Sequence, residues 1–349
     1  MKILVVFVDM IRANRLSLFN NDIKLKTQLD NEFEQLGGTI YTNFYSECPD
    51  TPRAMASFIS GKLPYQNNCD LRTKWPRYFL ESETNIFDQL IKKDYELNFF
   101  SNPNERKTGM FSKNISDLKI HNNNYDLDGY LKKIRLKNNH FVFISLPDFH
   151  WAIDDYGANK FGEKKGYKII SSNLKIIFNN LNKDSFDHIF IFSDHGFKFQ
   201  YESKRQPLFK ILNPDRTNSI LIHRQKKEKE IKYSKKLCGI SQFYSTINDL
   251  IQNTKTKNSI LNGPSKQFVI IEDFLDFNQS INNFPKIWSC VTEKQIYIRT
   301  LENGFSINRD DNQVKKGIEK SKDELIAKNS SFSKILDEKE KIETYNKFI

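Results

Sequence analysis

The stretch most able to do chemistry is Cys48-Pro49-Asp50-Thr51-Pro52-Arg53-Ala54-Met55-Ala56-Ser57-Phe58-Ile59-Ser60-Gly61. A hydroxyl residue sits in a turn fixed by two prolines, a small-residue and apolar helix pattern follows, and a glycine stops it. This places Thr51 at or near a helix N-terminus, where unpaired backbone N–H groups and the helix dipole favour an anion. Such a position suits a nucleophile that attacks a phosphate or sulfate, although the same residues taken alone also describe a capped structural helix. Two other segments give the stretch its weight. Asp9 follows an apolar run near the start, and Ser193-Asp194-His195-Gly196 follows another. A charged pair such as Asp194-His195 at the end of an apolar strand needs a partner to offset its desolvation.

The elements that must position these residues follow from the hydrophobic pattern. Residues 3–8 are unbroken apolar, as expected of a strand covered on both faces of a parallel sheet. A polar, helix-compatible stretch runs to Leu36 and Gly37-Gly38 ends it. Residues 39–45 read as a second strand delivering the chain to Thr51. A helix over 84–93, with Thr84 as its cap, and a strand over 96–100 continue the alternation of a doubly wound sheet. Residues 101–128 are polar and asparagine-rich and read as a surface excursion. Residues 140–146 form a buried strand that ends in Pro147-Asp148-Phe149-His150-Trp151. An amphipathic helix is predicted over 167–181, and a third buried strand over 188–192 ends in Ser193-Asp194-His195-Gly196. Three apolar strands thus end in side chains able to bind a metal, and ligands in open α/β sheets collect at the carboxyl ends of strands. Beyond them come a strand at 218–222, a solvated charge run at 226–236 and a helix at 240–251. Residues 268–271 and 295–301 read as strands of a small sheet, and a charged helical tail runs from Asp323. A break at Gly263-Pro264-Ser265 divides the chain into a catalytic domain of residues 1–262 and a C-terminal subdomain of residues 263–349.

Composition bounds the function. The 349 residues are 38% hydrophobic, enough for a sizeable core, so the chain is not read as disordered. A net charge of +11 implies an affinity for anions. The lysines are spread along the chain, which argues against nucleic-acid binding. The four cysteines, at 48, 69, 238 and 290, show neither C-x-x-C nor zinc-ligand spacing, so reduced thiols and a cytoplasmic location are expected. No run approaches the roughly 18 apolar residues of a membrane span. The first residues read as a core strand and not as a leader.

In order and spacing these residues resemble the alkaline phosphatase superfamily, and within it the sulfatase-like branch. Asp9 matches the acidic metal ligand after the first strand, Thr51 lies ten residues before the helix-ending Gly61, and Ser193 to Gly196 matches the later Ser-Asp-His-Gly. Leu146 to His150 is similar to the family's Asp-Pro-His segment, and Ser241 to Ile247 to its Asp-Leu-Tyr-Pro-Thr helix. The similarity spans roughly residues 3–251, with a weaker likeness to the C-terminal antiparallel subdomain. It implies a three-layer α/β/α sandwich with a mostly parallel central sheet and that small subdomain. There are departures. The Cys-x-Pro-x-Arg signal for formylglycine is absent, because Asp50 and Pro52 follow Cys48 at the second and fourth positions. Thr51 takes the nucleophile's place, as in the threonine-using phosphodiesterases, phosphoethanolamine transferases and lipoteichoic-acid synthases. Met10 stands where many relatives have a second aspartate.

The resemblance implies a metal-dependent hydrolase or transferase that acts on a phosphate ester through a covalent threonine intermediate. Asp9, Thr51, Asp194 and His195 are the expected ligands of one divalent metal, Mn²⁺, Mg²⁺, Ca²⁺ or Zn²⁺, which would lower the pKa of the Thr51 hydroxyl. A second metal would have to draw on Asp148, His150 and His223. His150 either meets the leaving-group oxygen or packs beside Trp151. Lys198 either neutralises substrate charge or is a solvated loop lysine, and Arg53 either touches the same anion or points away. The expected substrate is an anionic small-molecule or glycan ester, read by residues 62–80, 101–128 and 152–166, with Arg72, Lys74, Trp75 and Arg77 in the first of these. Alternatives are a sulfatase working without formylglycine and a binding protein of the same fold that has lost its chemistry.

Overall fold

The computed structural model describes residues 1–64, 66–67, 85–101, 119–120, 125–197, 214–274, 286–293, 295–300 and 304–308. At its centre is an eight-stranded sheet of order β5-β4-β6-β1-β7-β8-β2-β9. These strands are β1 (Lys2–Val8), β2 (Gly38–Tyr41), β4 (Glu96–Phe100), β5 (Lys119–Ile120), β6 (His140–Leu146), β7 (His188–Phe192), β8 (Leu221–Gln225) and β9 (Ile231–Ser234). β1 lies between β6 and β7, parallel to both, as the sequence predicts. Only β8 runs against its neighbours β7 and β2.

Alternation along β1 builds the three layers. Ile3, Val5 and Phe7 point into one apolar core, and Leu4, Val6 and Val8 point into the other. The first core takes α2 (Thr51–Ser60), α3 (Ile86–Lys92) and α8 (Gln242–Gln252), the helix that follows the short α7 (Pro214–Thr217). The second takes α1 (Gln28–Leu36), α4 (Leu127–Leu131), α5 (Asp148–Tyr156) and α6 (Lys160–Asn180). Phe58 of α2 stacks on Phe192 at the end of β7, with ring centroids 5.2 Å apart, and also meets Phe243 of α8 at 5.1 Å. These rings hold α2 over the sheet and so fix the height of Thr51.

Several expected elements are revised. Residues 39–45 are not one strand: β2 ends at Tyr41 and β3 (Phe44–Tyr45) pairs with β10 (Cys238–Gly239) in a separate two-stranded sheet. Asn85 caps α3, accepting from the backbone N–H groups of Phe87 and Asp88. The segment after β6 is helical, and α6 starts at Lys160 because Asn159 caps it, accepting from Phe161 and Gly162. Residues 152–166, expected to be a substrate-reading loop, therefore lie mostly in helices. The charge run at 226–236 contains the edge strand β9, and charged residues on an edge discourage pairing with another chain. Beyond it, β11 (Val269–Phe274), β12 (Lys286–Val291), β13 (Gln295–Thr300) and β14 (Gly304–Asn308) form a four-stranded antiparallel sheet. The predicted tail from Asp323 lies outside the described residues.

Candidate metal and ester site

The site forms where β1 and β7 end side by side. Asp9 follows β1, and its backbone N–H donates to the Leu146 carbonyl at the end of β6 (3.2 Å). After β7 the chain turns sharply: Ser193 Oγ accepts from the Ile11 N–H (2.9 Å) and donates to the His195 carbonyl (2.8 Å). Only glycine fits at 196, because a Cβ there would lie 2.1 Å from Arg12 Cγ. Thr51 is the first residue of α2, and Asp50 caps that helix by accepting from the Arg53 N–H (3.2 Å).

Each functional side chain has one polar atom tied down and one presented to a common point. Asp194 Oδ1 accepts from the N–H groups of Met10 (3.2 Å) and His195 (2.8 Å). Asp194 Oδ2 is buried and accepts no hydrogen bond. Met10 aims its N–H there from the left-handed region (φ 69°), an uncommon conformation for a residue with a Cβ. Asp9 Oδ2 lies 2.9 Å from His150 Nδ1, and Asp9 Oδ1 lies 3.4 Å from Thr51 Oγ1. His195 Nδ1 donates to the Gly196 carbonyl (3.0 Å), which leaves Nε2 3.2 Å from Thr51 Oγ1 and 3.4 Å from Asp194 Oδ2. One ligand atom from each of Asp9, Asp194 and His195 lies within 4.8 Å of the other two. The four residues predicted to converge do so.

The donor set fits a divalent cation. An orphaned, fully buried carboxylate oxygen beside a second carboxylate is costly unless a positive charge joins it. Burial pushes the Asp194 carboxyl up to about 6, and although His195 opposes this, the Asp9 charge adds to it. Burial also works to raise Asp9, but the hydrogen bond and charge of His150, with His195 and Thr51, outweigh it and hold Asp9 below its usual range. Burial disfavours charge on His150 as well. There Asp9 and then Asp154 and Asp194 prevail, lifting it to about 9. An imidazole whose Nδ1–H is fixed by a carbonyl, as in His195, is in the orientation typical of a metal-binding histidine.

The other predicted residues divide. His150 joins the site and does not simply pack beside Trp151: its Nδ1 holds Asp9, and its Nε2 lies 3.4 Å from Asp154 Oδ2 one helical turn on. Arg53 points away. Its Nε donates to Asp50 Oδ2 (2.6 Å) and its Nη1 to the Glu272 carbonyl (3.4 Å), and it is only 2% exposed. Asp148 accepts from the Tyr125 hydroxyl instead of entering the site. His223 lies on β8, hydrogen-bonded to His188 (3.0 Å). Of the residues considered for a second metal, only His150 reaches this centre. Cys48 is wholly buried, and burial pushes its thiol pKa well up, the reverse of nucleophile activation. Lys198, Arg72, Lys74, Trp75 and Arg77 lie outside the described residues. Sequence reasoning missed Asp154 as a partner of His150. The i,i+4 spacing was the available signal, hidden because the segment reads as a loop.

The chain is thus a three-layer α/β/α sandwich with an acidic and histidine cluster at the carboxyl ends of its central strands, facing a hydroxyl at a helix N-terminus. Solved structures similar to this chain include sulfatases and members of the alkaline phosphatase superfamily, whose fold it shares. A 2-O GAG sulfatase aligns over 98% of this chain and 90% of its own, with a TM-score of 0.69 and 14% identity. The phosphonate monoester hydrolase of Agrobacterium radiobacter aligns over 100% and 96%, with a TM-score of 0.63 and 11% identity. A protein of the alkaline phosphatase superfamily from Vibrio parahaemolyticus aligns over 88% and 79%, with a TM-score of 0.61 and 12% identity. The sequence matches no protein-family model and no curated protein.

Proposed function

We propose that this chain is a metal-dependent hydrolase or transferase of phosphate or sulfate esters, with Thr51 as its nucleophile. The observation that carries this reading is the convergence of Asp9 Oδ1, Thr51 Oγ1, Asp194 Oδ2 and His195 Nε2 at the N-terminus of α2. A bound divalent cation would supply positive charge that stabilises the deprotonated hydroxyl and the ester's oxygens. Asp9, Asp194 and His195 would hold it. Thr51 Oγ1, its proton lost to solvent beforehand, forms the new bond to phosphorus or sulfur as the bond to the leaving alcohol breaks. The N–H groups opening α2 face the charge that develops on the transferred group. His150 Nε2, on the solvent side of Asp9, is the atom from which the leaving oxygen takes a proton. Water then releases the group from Thr51, or an acceptor alcohol takes it.

Both ester types stay within the proposal, because the similar structures include a sulfatase and a phosphonate monoester hydrolase. Formylglycine chemistry is disfavoured by the burial of Cys48. A reducing, cytoplasmic setting is part of the proposal, and there the free thiols of Cys48 and Cys238 would stay reduced. No described helix is long and apolar enough to cross a membrane. The test is turnover of phosphomonoesters, phosphodiesters and sulfate esters with Mn²⁺, Mg²⁺, Ca²⁺ and Zn²⁺ in turn. Metal-dependent turnover that disappears in Thr51→Ala is expected. Turnover that survives Thr51→Ala, or none with any pairing, overturns the assignment.

A further inference from the structure

The three turns that carry the site come from distant parts of the chain, and one short segment touches all of them. It runs from Arg216, in α7, to Ile220, just before β8. Its Asn218 carbonyl accepts from the Ala13 N–H (3.0 Å), beyond Asp9, and its Ile220 carbonyl accepts from the Ser193 N–H (3.1 Å), beside Asp194. On the stretch leading to Thr51, the Ser46 N–H donates to the Thr217 carbonyl (2.9 Å) and the Ser219 N–H donates to the Phe44 carbonyl (3.0 Å). All of these ties join backbone groups, so they depend little on which side chains the segment carries.

Arg216 adds a side-chain tie, and it grips two of the turns at points next to the reacting atoms. Its carbonyl accepts from the N–H of Gly196 (2.5 Å), the residue whose own carbonyl holds His195 Nδ1 (3.0 Å). Its guanidinium Nη2 donates to the carbonyl of Pro49 (2.9 Å), two residues before Thr51. The turn there has few handles, since Pro49 and Pro52 have no N–H to offer. The carbonyls of Cys48 and Asp50 are engaged locally, by the Ser46 hydroxyl (2.5 Å) and the Ala54 N–H (3.1 Å). The Pro49 carbonyl is thus the point at which a residue 167 positions away holds the turn. Arg216 is buried, and burying a guanidinium costs hydration that packing alone would not demand. A charged donor makes a stronger bond to a carbonyl than a neutral one does, and a guanidinium is not lost by deprotonation.

We propose that Arg216 is a positioning residue that sets the separation between Thr51 and His195, its backbone holding the metal-ligand turn and its side chain holding the nucleophile turn. The two ends of this bridge bear on the 3.2 Å between Thr51 Oγ1 and His195 Nε2. Across that gap the nucleophile and a metal ligand must face one cation, and a displacement of about 1 Å can cost roughly 100-fold in rate. This role rests on the proposed reaction only for its consequence in turnover, since the separation itself is a property of the folded chain.

Arg216→Met removes the donor and keeps both the backbone carbonyl and the apolar stem, and Arg216→Gln puts a shorter, neutral amide in its place. Crystal structures of the parent and of both variants measure the separation, with circular dichroism to check that each folds. In the variants Thr51 Oγ1 and His195 Nε2 should move beyond hydrogen-bond reach, about 3.5 Å. The kcat should fall roughly tenfold or more while KM stays within about threefold, because ground-state binding of the ester is left in place. A role in folding alone would lower the urea midpoint and move neither quantity, and that result overturns the assignment. So does a parent-like separation in whichever variant folds, or a widened separation with parent-like kcat. Absence of ester turnover by the parent would count against the proposed reaction and leave the crystallographic result to decide the role of Arg216.

Discussion

At the scale of single residues, the site works by assigning each polar atom one partner. Thr51 is the one residue whose role cannot pass to a neighbour. Ser57 and Ser60 are buried further along α2, where Ser60 Oγ donates to the Ala56 carbonyl (2.7 Å). Thr51→Ala should therefore abolish turnover while leaving metal binding within a few-fold, since two carboxylates and a histidine remain. Cys48→Ser should cost little activity. Peptide mass spectrometry of a trapped intermediate checks both expectations, and an adduct on Cys48 would reverse the assignment. His150 has a distinct job, because it occupies Asp9 Oδ2 and so turns Oδ1 toward Thr51. Loss of such an orienting partner typically costs about 10–100-fold in metal affinity. That decrease is expected for His150→Ala in Mn²⁺ titrations by calorimetry, with His150→Asn recovering part of it. Equal affinity in all three proteins would show that His150 does not orient the ligand.

At the scale of elements, α2 matters most, because it carries Thr51 at one end and ends on Gly61 at the other. Gly61 sits in the left-handed region (φ 72°), and a Cβ there would come within 2.7 Å of Tyr244 Cβ on α8. Gly61→Ala thus combines backbone strain with a clash between two packed helices, and a loss of about 1–3 kcal/mol is expected. The midpoint of urea unfolding measures it. A variant as stable as the parent would mean that α2 and α8 can separate without cost. The sequence shows this helix almost to the residue, since two prolines, a capping aspartate and a closing glycine are local signals. It conceals α5 and the start of α6. Gly162 and Gly166 lower helix propensity there, and packing requires both: a Cβ at 162 would lie 2.1 Å from the Gly157 carbonyl oxygen, and one at 166 would lie 2.5 Å from the Phe149 ring.

At the scale of the whole molecule, the strand ends at the active-site rim gather charge, while the opposite end of β7 buries a neutral histidine pair. His188 Nδ1 and His223 Nε2 are 3.0 Å apart, and the His223 ring stacks on Phe190 at 4.6 Å. Burial, with a smaller contribution from His188, pushes His223 from its ordinary 6.5 down to about 3. The unfolded chain therefore binds a proton here that the folded chain refuses. The contribution to stability is complete above pH 6.5 and is lost progressively as pH falls toward about 3. Melting temperature should drop across that window, and His223→Gln should flatten the drop. An identical pH profile in the variant would exclude this pair as the cause.

By itself the sequence determined the elements whose signals are local or strongly periodic. Residues 3–8, 140–146 and 188–192 are too apolar to be anything but buried strands, and Pro49 to Gly61 spells out its own helix ends. The order of Asp9, Thr51 and Asp194-His195 was legible for the same reason, because each sits directly at the end of such an element. Tertiary structure decided which atom of each residue faces the centre. Asp194 Oδ2 is left bare because Met10 and His195 take Oδ1, and Asp9 Oδ1 is presented because His150 takes Oδ2. Arg53 is withdrawn because Asp50 and Glu272 claim its guanidinium. None of these outcomes has a local signal, because each hydrogen bond or packing contact that selects one atom over another joins residues that only the folded chain brings together.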